Sequence, residues 1–154
     1  MTAFKNAAFP AYSAITIAID TLAPDALALS TTEIDNSLSS NRYDFISVNI
    51  SLNSFSPASG APLIEGWLVP SFDGTNYVSI SEAISPKGGG SVPSANGYVS
   101  PSTGAKRALL AFGPLLNLKY KLLLKNSTGT AFATGTKVVS WSGTMKETAA
   151  NTVI

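Results

Sequence analysis

Nine carboxylates could do acid–base work in this chain: Asp20, Asp25, Glu33, Asp35, Asp44, Glu65, Asp73, Glu82 and Glu147. Glycoside hydrolysis needs two of them facing one sugar ring, about 5–10 Å apart. They are scattered along the sequence instead, and the aromatic residues that would line a sugar cleft do not cluster. The chain has no His and no Cys, which removes imidazole and thiol catalysis, disulfide frameworks and almost every zinc site. The residues therefore predict a protein that is not an enzyme, with no cofactor and no metal.

Other groups are weighed in the same way. Lys87 precedes Gly88, Gly89 and Gly90, but a phosphate cradle needs a strand before it and a helix opening after it. Ser91-Val92-Pro93 follows, so the glycines read as a loop. Asp73-Gly74-Thr75-Asn76 has too few acidic ligands for a calcium loop and reads as a turn. Lys106 and Arg107 adjoin, and Lys119, Lys121 and Lys125 share one side of a strand; a basic stripe could meet an acidic partner or phosphates. The plainer expectation is a solvated strand face, with lysines that block edge pairing. Trp67 and Trp141 read as sheet-face packing. Tyr77 and Tyr98 flank the glycine-rich loop, so the candidate interface is Tyr77, Lys87, Gly88, Gly89, Gly90 and Tyr98.

The elements that position these residues are short strands. From Tyr43 to Leu52, Ile46, Val48, Ile50 and Leu52 alternate with Ser47, Asn49 and Ser51, giving one apolar and one polar face. Around Lys119 to Lys125, Leu118, Tyr120, Leu122 and Leu124 point one way and the lysines the other, with Leu123 interrupting the polar row. Further strands are expected at Ile15–Ile19, Ala26–Leu29, Leu63–Val69, Tyr77–Ile84, Arg107–Phe112, Thr130–Ala133 and Lys137–Ser142. Turn-rich stretches separate them. Pro62 and Pro70 bracket the Trp67 strand. Ser85 to Gly104 reads as one long irregular stretch. No amphipathic helix is expected.

About eight strands with alternating patterns predict an all-β fold: an antiparallel β-sandwich, jelly-roll-like, in a single domain spanning residues 1–154. Residues 1–11 and 146–154 read as flexible arms. An immunoglobulin-like topology fits the strand spacing equally well, although the Cys-Trp-Cys core is missing. Charged residues are only 12% of the 154, and 35 Ser and Thr supply neutral polarity in their place. The net charge of +1 leaves no footprint for nucleic acid or an anionic membrane. No apolar run reaches the ~18 residues of a membrane span. The run at 14–19, closed by Asp20, is too short for a signal peptide. The Asn-x-Ser/Thr triplets at Asn49 and Asn126 are expected to stay unmodified.

A resemblance adds to this. Thr32-Glu33-Ile34-Asp35-Asn36, the run from Asn41 to Val48, the run Glu65-Gly66-Trp67 through Asp73-Gly74-Thr75-Asn76-Tyr77, Phe112-Gly113-Pro114-Leu115, Leu118 to Leu124 and Asn126-Ser127-Thr128-Gly129 together resemble small virion structural proteins of tailed bacteriophages, of the capsid decoration or head-fibre type. The resemblance covers roughly residues 30–145. It implies a jelly-roll-like decoration (cement) protein, made in the host cytoplasm and bound to the outer capsid surface of the virion. The implied partners are the major capsid protein and further copies in a homotrimer. It carries no catalytic residues. Alternative roles are a tail, neck or fibre component, or a carbohydrate-binding module using Trp67, Tyr77 or Tyr98.

Overall fold

In the computed structural model the chain is described at residues 12–38, 42–58, 60, 62–85, 92–100, 104–135 and 137–144. The proposed arms, 1–11 and 146–154, lie outside these residues, as do Lys87, Gly88, Gly89 and Gly90. The strands are β1 (Ser13–Ala14), β2 (Leu27–Asp35), β3 (Phe45–Leu52), β4 (Leu63–Ser71), β5 (Ser94–Tyr98), β6 (Lys106–Phe112), β7 (Lys119–Ser127) and β8 (Val138–Thr144), with one short helix, α1 (Ile80–Ala83), after β4.

The strands form two four-stranded antiparallel sheets, ordered β1-β8-β3-β6 and β2-β7-β4-β5. The hydrogen-bonded pairs β1·β8, β2·β7, β3·β6 and β4·β5 make the chain one long hairpin, with its outermost strands paired first to last. Rolling that hairpin brings β3 beside β8 and β4 beside β7. This is the eight-stranded jelly roll; the immunoglobulin order, with four strands on three, is not the one adopted.

Alternation fills the space between the sheets. Ile46, Val48, Ile50 and Leu52 of β3 meet Ala108, Leu110 and Phe112 of β6, and face Ile64, Leu68, Tyr120, Leu122 and Leu124 of the other sheet. At roughly 25 cal/mol per Å² of apolar area, this core is the main favourable term in folding. Where the sheets approach most closely the side chains vanish. A Cβ on Gly66 would stand 2.7 Å from Leu110 Cδ1, and one on Gly97 would stand 3.0 Å from Ala108 Cβ and 3.2 Å from the Leu109 carbonyl.

Several expectations change. Tyr77–Ile84 is not a strand: Tyr77 makes a single bridge to Ser71, and the chain then turns into α1. Ser79 caps that helix while Glu82 bonds back to the Ser79 N–H, a capping box that outweighs the β-branched residues nearby. The stretch Ser85 to Gly104 is not wholly irregular, because Ser94–Tyr98 pairs with β4 as β5. Thr130–Ala133 forms no strand; Phe132 instead buries its ring beside Phe55, and its N–H bonds the Leu22 carbonyl. Ile15–Ile19 is not a strand; the ladder is the two residues before it, Ser13–Ala14. Ile15, Ile17 and Ile19 still alternate into the core as the chain crosses between sheets, from the Val139 carbonyl to Thr31 and Thr32 at the irregular step in β2. Pro70 lies inside β4 rather than after it. It sits past Trp67, the last residue paired with β5, so its missing N–H costs no ladder bond on that side.

Candidate functional site

Each sheet has an outer face, and the chain treats the two differently. On the β2-β7-β4-β5 sheet the outward residues of β7 are Lys119, Lys121, Leu123 and Lys125. This strand is central, so the lysines do not guard an edge. Each sits across from a carboxylate: Asp35 opposite Lys119, Glu33 opposite Lys121, Glu65 opposite Lys125. Lys125 Nζ lies 3.5 Å from Glu65 and 3.6 Å from Asp25, and the Ser127 hydroxyl donates to Glu65. Leu123 interrupts the lysine row for a physical reason. With Val69 and Ala83 it forms a second small core, closed by Leu27, Leu29, Trp67, Tyr77, Val78 and Val92. The segment carrying α1 is the lid of that core.

Tyr77 belongs to this lid. Its hydroxyl donates to Glu33, and Lys121 Nζ stands 4.6 Å above its ring. Burial, and then the Glu33 carboxylate, push the phenol above its ordinary pKa. Tyr77 thus anchors its own chain. Tyr98 is 56% exposed and points outward from β5 opposite Leu63. Since Tyr77 bridges Ser71, the two tyrosines sit at opposite ends of β4, and the structure does not bring them into one patch. Trp67 packs in the second core and Trp141 against the main one, where its ring meets Tyr43 edge-on at 5.5 Å.

The scattered carboxylates have local uses. Asp73 accepts from the Asn76 N–H and amide, the Thr75 N–H and the Ser71 hydroxyl, which hold its carboxyl well below the usual range. Its loop is an Asx-type turn. Ser37 does the same for Asp35, and Ser79 for Glu82. Asp20 pairs with Lys137 at 2.9 Å. Asn126 is fully buried and its amide donates to the Leu22 and Thr130 carbonyls, so that triplet is inaccessible once folded.

The outer face of the β1-β8-β3-β6 sheet is unlike this. Its rows, read across β8, β3 and β6, are Ser142–Ser47–Ala111, Ser140–Asn49–Leu109 and Val138–Ser51–Arg107, with Phe45 beside Thr144 at one end. Phe45, Leu109 and Val138 are half exposed. Among the described residues, Arg107 is the only charge on it, and no described element packs over this face. Sequence reasoning passed over these three apolar residues. The signal was available, since each occupies a polar-phase position of its alternating strand.

Of the segments that carry the phage resemblance, residues 32–36, 43–48, 112–115 and 118 meet at the Phe45 end, whereas residues 126–129 lie at the opposite pole, against Leu22 and Ala58. Buried Asn36 donates to the Tyr43 and Leu116 carbonyls at 2.9 and 3.0 Å and accepts from the Tyr43 N–H at 2.6 Å. Its own N–H bonds the Leu118 carbonyl, and the Leu115 N–H bonds that of Asp44. One side chain thereby ties the end of β2 to the start of β3 and to the β6–β7 connection. Gly113 is required there because a Cβ would stand 2.3 Å from the Phe45 ring. The chain matches no family model, and neither the curated proteins nor the solved structures compared with it give a match.

Proposed function

We propose that this protein is a structural component of a tailed-bacteriophage virion, a decoration protein that seats on the outer capsid surface as a trimer and adds contact area without turnover. The observation that carries the reading is the open face of the β1-β8-β3-β6 sheet: hydroxyl-rich, nearly uncharged among the described residues, and studded with Phe45, Leu109 and Val138. Such a face can lie against many identical neighbours without like-charge repulsion. The eight-stranded jelly roll supports it, as an architecture that recurs in viral capsids. So does the resemblance to virion proteins, part of which, residues 32–36, 43–48 and 112–115, meets around Asn36 beside that face.

The test uses the purified chain and heads of the phage whose genome encodes it. Wild-type protein is expected to co-sediment with heads and to scatter light as a trimer. The double variant Phe45→Ser, Leu109→Ser should keep its β-sheet circular dichroism yet lose co-sedimentation at least about tenfold, as truncating interface anchors does. A wild-type chain that stays monomeric and in the supernatant overturns the proposal.

A further inference from the structure

The described residues leave ten large apolar side chains exposed, and half of them belong to one end of the sandwich: Tyr12, Leu38, Phe45, Phe72 and Leu116. The register puts them there. Phe72 follows Ser71, which pairs with Lys119, and Lys119 pairs with Asp35, three residues before Leu38. The Leu116 carbonyl accepts from the Asn36 amide, and Phe45 opens β3 opposite Thr144. Tyr12 precedes Ser13, whose partner is Trp141, so the chain before Ser13 heads for the same end. Among the described residues, the opposite pole exposes only Tyr98 and Val138. Large apolar side chains exposed singly are ordinary, but a group of them marks a surface that something covers.

The chain itself supplies a candidate cover. Residues 1–11, which lead into Tyr12, hold Met1, Phe4 and Phe9 among four alanines, with Lys5 as their one charge. Residues 145–154, which follow Thr144 at this same end, hold Lys146 and Glu147 and no aromatic ring. The first segment is therefore the better match to an apolar surface. Its length is also sufficient. Residues 1–11 span up to about 36 Å when extended, against an end of roughly 15 by 10 Å set by four strands and two sheets.

We propose that residues 1–11 fold back over this end of their own sandwich and seat Phe4 and Phe9 against Leu38, Phe72 and Leu116. Tethering makes modest contacts enough. A segment that starts at the rim of its own docking surface meets it at an effective concentration in the millimolar range, which a separate chain in dilute solution does not reach. Phe45 marks the rim shared with the open sheet face, and the cover requires none of the rest of that face. It stands independently of the virion role.

Trypsin cleavage after Lys5 in the full chain, timed by mass spectrometry and divided by the rate for the matching free peptide, tests the cover. Cleavage of a docked segment tracks the fraction of time it stands open. The double variant Phe72→Ser, Leu116→Ser exchanges two exposed side chains and should keep its β-sheet circular dichroism. Its cleavage after Lys5 should nonetheless quicken at least about tenfold. Phe4→Ser, Phe9→Ser should quicken it by as much, so the test survives a pole variant that fails to fold. All four substitutions together should add nothing further, because either pair alone already frees the segment. Leu109→Ser, on the open face, should leave the rate unchanged. Equal rates in wild type and both double variants overturn the cover. So does a wild-type rate that falls as the protein is concentrated, which assigns this end to a second copy.

Discussion

The two sheets of this sandwich share a core and a strand count, yet their outer faces follow opposite strategies. One is covered by its own chain: α1 and the turn before it lie over Leu123 and Val69, and Tyr77, Glu33 and Lys121 fasten the cover. The other keeps three large apolar side chains in view among serines, with a single charge. Charge follows cover. The covered sheet carries the acid–lysine rows, and the open one is almost neutral. A face that closes on itself tolerates charge because its partners are built in, whereas a face that must meet another surface avoids charges it would have to desolvate.

The largest expected effect separates the faces directly. Leu123→Ala should destabilise the protein by about 3 kcal/mol in urea unfolding, because it empties a buried site. Leu109→Ala on the open face should cost less than about 0.5 kcal/mol. Equal costs would erase the distinction. Next comes Asn36→Ala, which strips the Asn36 partner from the Tyr43 carbonyl and N–H and leaves the Leu116 carbonyl to the Tyr120 hydroxyl, where both sheets meet. It should cost about 2 kcal/mol and leave the covered face closed, so Trp67 emission should not move in the folded variant. Ser79→Ala should remove about 1 kcal/mol of helix cap. Read by hydrogen exchange, the loss should be confined to amides around residues 79–84.

The smallest effect is acid loosening. Asp35, Asp73 and Glu82 have carboxyls held below their ordinary values, and all three lie on the covered sheet or its lid. Their contribution is complete above about pH 4.5 and is lost as pH falls through the lowered values. Acidification towards pH ~2 should therefore shift the emission of a Trp141→Phe variant, which reports Trp67, before that of a Trp67→Phe variant, which reports Trp141. The reverse order would place the weaker face on the other sheet.

Much of the sandwich was legible because its signals are local. The alternation of Tyr43–Leu52 and Lys119–Lys125 names two central strands, and Leu123, the one residue out of phase, marks the second core. The strand partners were not legible, since β1 pairs with β8 and β2 with β7 across most of the chain, and no local pattern encodes such pairings. Tyr77–Ile84 was misread because its β-branched residues conceal Ser79 and Glu82, three apart, which decide the helix. β5 escaped notice because Ser-Ala-Asn-Gly-Tyr carries no large inward side chain; Gly97 is small so that β5 can approach β6. Lys106 was noticed as a cation, but the register that buries it shows only when it is counted with Ala108, Leu110 and Phe112.

The pairing of Ser13 with Trp141 places the points where the described chain enters and leaves the sandwich on neighbouring strands. Three residues of extended chain and one strand spacing separate Ser13 from Thr144, on the order of 10 Å. A short linker could join them, and new ends cut between Ser54 and Pro57, at the far pole, would give a circularly permuted protein with the same sheets. Cargo joined directly after Thr144 would leave beside Asn36, and cargo joined between Ser54 and Pro57 would leave beside Lys106, so a single scaffold displays passengers from either pole.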